Sequence, residues 1–152
     1  FLDVGTGSGI LMILAAKMGD AEMTGIDTDP VAIDVARENL SKNRIQMDQT
    51  RLICTTLDRL AESPPYDFIA ANILARVITV ILPDICRRLR PGGVAVLSGI
   101  VLEQEAVICS AAQELGLTVI DRRCQEEWIA LAVSHQPPED QQNLLRTGSA
   151  RR

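Results

Sequence analysis

Apolar residues fall into short runs bounded by glycine, proline or aspartate, interleaved with longer stripes at helical spacing. Phe1-Leu2-Asp3-Val4 leads through glycines at 5, 7 and 9 into Ile10 to Ala16, a run too long for one strand. A helix is therefore predicted from about Ser8 to Met18, with Gly19 as its C-terminal cap. A short strand follows over Ala21 to Asp27. Asp29-Pro30 then supplies an N-cap and a first-turn proline for a helix whose apolar stripe is Ala32, Val35, Ala36 and Leu40. A third strand is expected at Arg51 to Thr55, an irregular segment at Leu57 to Glu62 and a turn at Pro64-Pro65. Tyr66 to Asn72 is nearly continuously apolar, as a strand buried on both faces would be.

The next helix spans about Arg76 to Leu89, with Pro83 inside it as an expected kink or break and Arg87, Arg88 and Arg90 forming a solvated basic end. Pro91-Gly92-Gly93 reads as a turn and Val94 to Ser98 as the fifth strand. Leu102 to Leu115, capped by Gly116, is the last helix, and Leu117 to Arg123 and Trp128 to Val133 close the chain as a hairpin. Five strands alternating with helices and then a hairpin predict an α/β, doubly wound, mainly parallel seven-stranded sheet with one antiparallel strand. The chain starts two residues before the motif that opens at Asp3, so the first strand is expected to be truncated and the chain to be part of something longer. Residues 1–134 form the expected domain. Residues 135–152, polar and carrying Pro137-Pro138, are expected to be a disordered tail.

Composition narrows the function. With 152 residues, 47% apolar and 3% aromatic, the chain can bury one aliphatic core. A net charge of −5 argues against non-specific nucleic-acid binding, and no run reaches the roughly 18 apolar residues of a membrane span. Cys54, Cys86, Cys109 and Cys124 are widely spaced, which predicts buried thiols in a reducing cytoplasm. His135 is the only histidine, and no metal-ligand cluster is present in the sequence.

In an open parallel sheet, ligands sit beyond the carboxyl ends of the strands, so the residues closing each strand carry the chemistry. Gly5-x-Gly7-x-Gly9 closes strand one and lets a ligand approach backbone, with the first amides of the helix suited to a carboxylate or phosphate. A dinucleotide fingerprint would place its third glycine where Ile10 stands, which weakens a nicotinamide-cofactor reading without removing it. Asp27, 22 residues after Gly5, closes strand two at about the distance of an acid that accepts a ribose hydroxyl pair; Asp29 is the better helix cap, which leaves Asp27 free. Asp3 could fold back onto loop amides or reach a ligand ammonium through water. Asn72 closes strand four where an acceptor substrate would meet the cofactor.

Asp3-x-Gly5-x-Gly7-x-Gly9 looks like the first motif of class I S-adenosylmethionine-dependent methyltransferases. With Gly25 to Pro30, Ala71-Asn72-Ile73-Leu74-Ala75, Pro91-Gly92-Gly93, Leu97 to Ile100 and Glu127 to Leu131, the chain resembles the catalytic domain of the ribosomal protein L11 methyltransferase family over nearly all of residues 1–134. Asn-Ile-Leu-Ala is the most specific stretch, because related amino methyltransferases carry Asn-Pro-Pro-Tyr or Asp-Pro-Pro-Tyr there.

The resemblance implies a Rossmann-like methyltransferase fold, S-adenosyl-L-methionine as cofactor and a large-subunit ribosomal protein as partner. It also implies transfer to lysine ε-amino or N-terminal α-amino groups. By the resemblance, Gly5 and Asp27 would contact the cofactor and Asn72 would lie at the junction of cofactor and acceptor amine as the catalytic residue; the full set expected to bind the cofactor is Asp3, Gly5, Gly7, Asp27, Thr56 and Asn72. Adenine contact falls to Thr56 or Leu57. The family's threonine-rich stretch and amino-terminal substrate-recognition domain would both precede Phe1. Neither nucleic acid nor membrane is an expected partner, the expected location is the cytoplasm, and the oligomeric state is left open.

Three rival readings stay open: the same fold acting on another amine, small-molecule or nucleic-acid acceptor; a nucleotide-binding module or NAD-dependent oxidoreductase; and a fragment that only binds cofactor, without activity, or misfolds. His135, at the exit of the last strand, is expected to be a solvated surface residue. Trp128 is expected to pack in the core or at the rim, or to cover the substrate mouth.

Overall fold

The computed structural model describes residues 1–19 and 22–135. Seven strands form one sheet in the order β3-β2-β1-β4-β5-β7-β6. They are β1 (Leu2–Val4), β2 (Met23–Asp27), β3 (Thr50–Cys54), β4 (Tyr66–Asn72), β5 (Leu89–Val101), β6 (Leu117–Gln125) and β7 (Trp128–His135). Four α-helices connect them: α1 (Ile10–Met18), α2 (Pro30–Lys42), α3 (Ala75–Arg88) and α4 (Glu105–Glu114). β7 alone runs against its neighbours, pairing antiparallel with β5 and β6. The expected doubly wound sheet with one antiparallel strand is therefore present, and β1 is short, at three residues.

Side chains alternate across the strands and feed two cores. Leu2, Val4, Ile69, Ala71, Ala95 and Leu97 pack with α3 and α4, whereas Phe1, Met23 and Ala70 pack with Met12, Ile13 and Leu40 of α1 and α2. The chain leaves β1 in one direction toward β2 and β3 and in the other toward β4 and β5. The crevice of this reversal, at the carboxyl ends of β1 and β4, is where an open α/β sheet takes its ligand.

Several local expectations are corrected. α1 starts at Ile10, not Ser8, because Gly7 and Gly9 both take positive φ. On α2 the fully buried stripe is Ile33, Ala36 and Leu40, while Val35 faces outward; Asp29 caps the helix through the Val31 amide and Pro30 opens it, as read from the sequence. β4 is buried on both faces only over Ile69–Ala71. α3 runs unbroken through Pro83: the lost amide bond is outweighed by the burial of Ile78, Leu82 and Ile85 along one face. Pro91-Gly92-Gly93 is no free turn but an irregularity inside β5, where pairing with β4 jumps from Tyr66↔Leu89 to Phe68↔Val94. The last helix begins as a single 3₁₀ turn over Leu102–Gln104.

The basic helix end is not uniformly solvated. Arg88 is only 6% exposed, and its guanidinium donates to the carbonyls of Leu60 (2.5 Å) and Ala61 (3.4 Å). The four thiols are free but not buried: Cys54 and Cys124 are exposed, Cys86 and Cys109 half-buried. The expected start of strand two at Ala21 and the expected disorder of the tail beyond His135 lie outside the described residues. No helix among the described residues is long and apolar enough to cross a membrane.

Candidate active site

The glycine loop is folded by its own backbone and by two carboxylates. The amides of Gly5 and Thr6 both donate to the Ile26 carbonyl at 2.9 Å, which stitches the loop to the end of β2, and Gly9 N–H closes it onto the Thr6 carbonyl. Gly5 adopts a φ of 73°, and a side chain there would run into the Cγ2 methyl of Ile73. The loop can pass beneath Ile73 only as glycine. At Gly9 an added carbon would stand 3.2 Å from Ala36, so this glycine brings α1 against α2. It takes over the close-packing role of the missing glycine at position 10.

Asp27 bridges the loop to α2. Its two oxygens accept the Gly7 amide and the Asp29 amide, each at 3.0 Å, and its own carbonyl accepts Thr55 N–H at 2.9 Å. Asp27 is half-exposed, and each carboxylate oxygen keeps a further lone pair for a ligand hydroxyl. Asp3 is not in the open. It is 1% exposed, accepts the Thr6 hydroxyl on Oδ2 at 2.8 Å and leaves Oδ1 buried without a partner. Its expected fold-back onto loop amides is thus replaced by a bond to the Thr6 hydroxyl. Burial pushes its pKa from 3.8 up to about 6; the Thr6 bond pulls the other way, and the charge of Asp27 adds to the rise.

Between these groups and α3 lies a cavity of about 400 Å³ lined by Gly5, Asp27, Thr56, Leu57, Ile73 and Val77 among others. Its volume is within the range of small-molecule sites, and its wall is apolar except toward Asp27 and the threonines. The structure thus brings Gly5, Asp27, Thr56 and Leu57 around one cavity. The Thr56 hydroxyl is engaged by Asp58, whose carboxylate it holds below its ordinary range. Gly7 touches the site through Asp27, and Asp3 lies beneath the loop, away from the wall. Asn72 is exposed at the rim, directly before the wall residues Ile73 and Leu74.

The cavity suits a nucleoside carrying a charged amino-acid arm. Asp27 stands where a hydroxyl pair would be accepted, Ile73, Val77 and Leu57 offer faces for a flat base, and Gly5 brings loop backbone to the wall for the arm.

His135 is half-buried, and its ring nitrogen is 3.0 Å from the Leu89 carbonyl. Leu89 pairs with Tyr66 at the far end of β4 from Asn72, so the imidazole stands at the wrong end of the sheet to serve this cavity. Trp128 is half-exposed at the start of β7, paired with Val101 at the rim. Among the described residues no group of three His, Cys, Asp or Glu is placed to hold a metal.

A family model described as ribosomal protein L11 methyltransferase (PrmA) matches residues 1–136. The chain belongs to this family. Its sequence is 49% identical over 131 residues to the ribosomal protein L11 methyltransferase of Desulforapulum autotrophicum and 45% identical over 130 residues to that of Symbiobacterium thermophilum. Each comparison covers 86% of this chain and 43% or 41% of the relative, so the chain spans less than half the length of these curated relatives. The crystal structure of a ribosomal protein L11 methylase from Lactobacillus delbrueckii subsp. bulgaricus superposes with a TM-score of 0.84 at 32% identity, covering 90% of this chain and 69% of that one.

Sequence reasoning missed four residues of this candidate site. Ile73 roofs the glycine loop, Val77 and Ile81 extend the apolar wall down α3, and Arg88 secures the segment that follows Leu57. Ile73 could have been found from its place beside Asn72. Arg88 could not, because a buried arginine and a solvated one are alike in a basic run.

Proposed function

We propose that residues 1–134 form the catalytic domain of an S-adenosylmethionine-dependent N-methyltransferase, and that its acceptor is an amino group of ribosomal protein L11, a lysine ε-amine or the N-terminal α-amine. The observation that carries this reading is the cavity bounded by Gly5 and Asp27 that ends beside Asn72, in a chain of the L11 methyltransferase family. A ribosomal-protein acceptor supports the cytoplasm as the place of this activity.

When bound, S-adenosylmethionine supplies a methyl group made electrophilic by its sulfonium. What the chain contributes is binding and alignment. Asp27 holds the ribose hydroxyls with the lone pairs left by the Gly7 and Asp29 amides, and Leu57, Ile73 and Val77 enclose the base. The Gly5–Gly9 loop leaves its backbone accessible to the amino-acid arm, with Asp3 beneath it. At the rim, the Asn72 side-chain oxygen and the Ile73 carbonyl accept N–H groups of the incoming amine and aim its lone pair, so that catalysis rests on orientation over about 3 Å. A lysine amine, with an ordinary pKa of about 10.4, must arrive neutral; a cationic ligand beside it, and the water displaced when it docks, favour that form. No imidazole is needed to take the proton at the rim.

Calorimetric titration of the chain with S-adenosylmethionine, S-adenosylhomocysteine and NAD, repeated on Asp27→Ala, tests the cofactor. Binding of the first two, weakened about tenfold or more by the substitution, is expected. NAD alone binding would refute it. Incubation with purified L11 and isotopically labelled cofactor, followed by peptide mapping, tests the acceptor and tells lysine from the N-terminus.

A further inference from the structure

Where β5 passes the site it carries a bulge that the mechanism above leaves unused. Its pairing with β7 runs through Leu97↔Leu131 and resumes at Ile100↔Ile129, so Ser98 and Gly99 together oppose the single residue Ala130. Gly99 takes a φ of 80° there. A carbon added to it would stand 2.6 Å from the Ile73 carbonyl oxygen and 3.2 Å from Asn72 Oδ1. On the same turn, the Ser98 carbonyl accepts the Ile73 amide at 3.2 Å, and Ser98 is the register partner of Asn72.

The bulge therefore does two things to the Asn72-Ile73 turn. Ser98 ties it down by a backbone bond, and Gly99 gives it a floor with no side chain in the way. The two oxygens closest to that floor are the two assigned above to the acceptor amine. Gly99 itself does not line the cavity. We propose that Gly99 is a positioning residue for methyl transfer: its missing side chain sets where Asn72 Oδ1 and the Ile73 carbonyl stand relative to the cofactor cavity. This rests on the reading of Asn72 and Ile73 as the groups that hold the amine.

A bulge glycine could also be required only for its left-handed backbone, and Gly116 separates the two roles. It has a φ of 75° and nothing within 4 Å of an added carbon, so Gly116→Ala carries the backbone strain without the collision. In Gly99→Ala, the Asn72 carboxamide and Ile73 amide resonances should shift, and kcat with L11 should fall about tenfold or more. Affinity for S-adenosylhomocysteine should hold. Gly116→Ala should move neither the resonances nor kcat.

A folded Gly99→Ala with wild-type resonances and wild-type kcat would overturn the proposal, as would an equal loss of kcat in Gly116→Ala. Should Gly99→Ala not fold, Gly99→Asn carries the same collision on a residue that tolerates this backbone and is expected to give the same shifts. The wild-type chain adds an arm of its own: motionally averaged Asn72 carboxamide signals would show that nothing positions it and would also overturn the idea. A wild-type chain that binds S-adenosylhomocysteine yet transfers no methyl counts against the proposed reaction instead, and the Asn72 and Ile73 shifts still decide the role of Gly99.

Discussion

Replacing Asp3 by asparagine removes the one deeply buried carboxyl group of the site while keeping its shape. Asp3 is 1% exposed, and its pKa stands at about 6 against an ordinary 3.8. That rise corresponds to about 3 kcal/mol by which the folded state prefers the protonated form. The sign follows from proton counting. Between the two values the folded chain holds a proton that the unfolded chain has released, so stability is highest below 3.8 and is lost as the pH rises through 6. Asparagine cannot ionise, so Asp3→Asn should lack this loss.

Urea unfolding at intervals from pH 4 to pH 8 measures it, with the midpoint converted through the denaturant slope. The difference between variant and wild type isolates Asp3, since the exposed carboxylates are common to both. The variant should gain on the wild type from pH 4 to about 6, keep that lead above it and be more stable at pH 8, by up to about 3 kcal/mol less whatever the Thr6 hydroxyl loses as partner. Parallel stability curves, or a variant that weakens as the pH rises, would refute the reasoning. They would mean that the bond from Thr6 outweighs the cost of burying the charge.

Gly5→Ala should destabilise the fold by about 1–3 kcal/mol, from the positive φ and the collision with Ile73, and weaken cofactor binding; thermal unfolding and calorimetry read the two effects. Asn72→Ala should lower kcat by about a hundredfold with little change in S-adenosylhomocysteine affinity, which steady-state kinetics and titration separate. Cys54 is exposed at the end of β3 with its Sγ 3.7 Å from the carbonyl of the wall residue Thr28. S-adenosylhomocysteine should therefore slow its alkylation and leave that of exposed Cys124 unchanged, as peptide mass spectrometry would show.

The sheet and its connections were legible because each strand is a compact apolar run and each helix has a marked start or stop. Asp29-Pro30, Gly19 and Gly116 are visible as letters. Asp27 and Asn72 could be singled out because each is polar at the end of an apolar strand. What escaped depends on partners distant along the chain. Pro83 looked like a break, since the burial of Ile78, Leu82 and Ile85 that overrides it is a property of the packed sheet. Val35 and Ile33 could both have headed the stripe of α2, and only docking chose between them. Asp3 read as a partner of loop amides or of a ligand ammonium because neither its depth nor the reach of Thr6 is written in local sequence.

The carbonyls that hold Arg88 have a consequence for how the cavity responds to its surroundings. Leu60 turns back by hydrogen bonds to the carbonyls of Thr56 and Leu57, so the guanidinium at the end of α3 anchors the segment that follows these two lining residues. Backbone carbonyls do not titrate, and a lysine, as a single point charge, could not span two of them as the planar fork does. That segment is thus tethered by a link blind to acidity, and the glycine loop rests on a carboxyl group that changes charge near pH 6. Acidification then acts on the two unequally: it resets the charge beneath the loop while the segment after Leu57 stays moored to its helix.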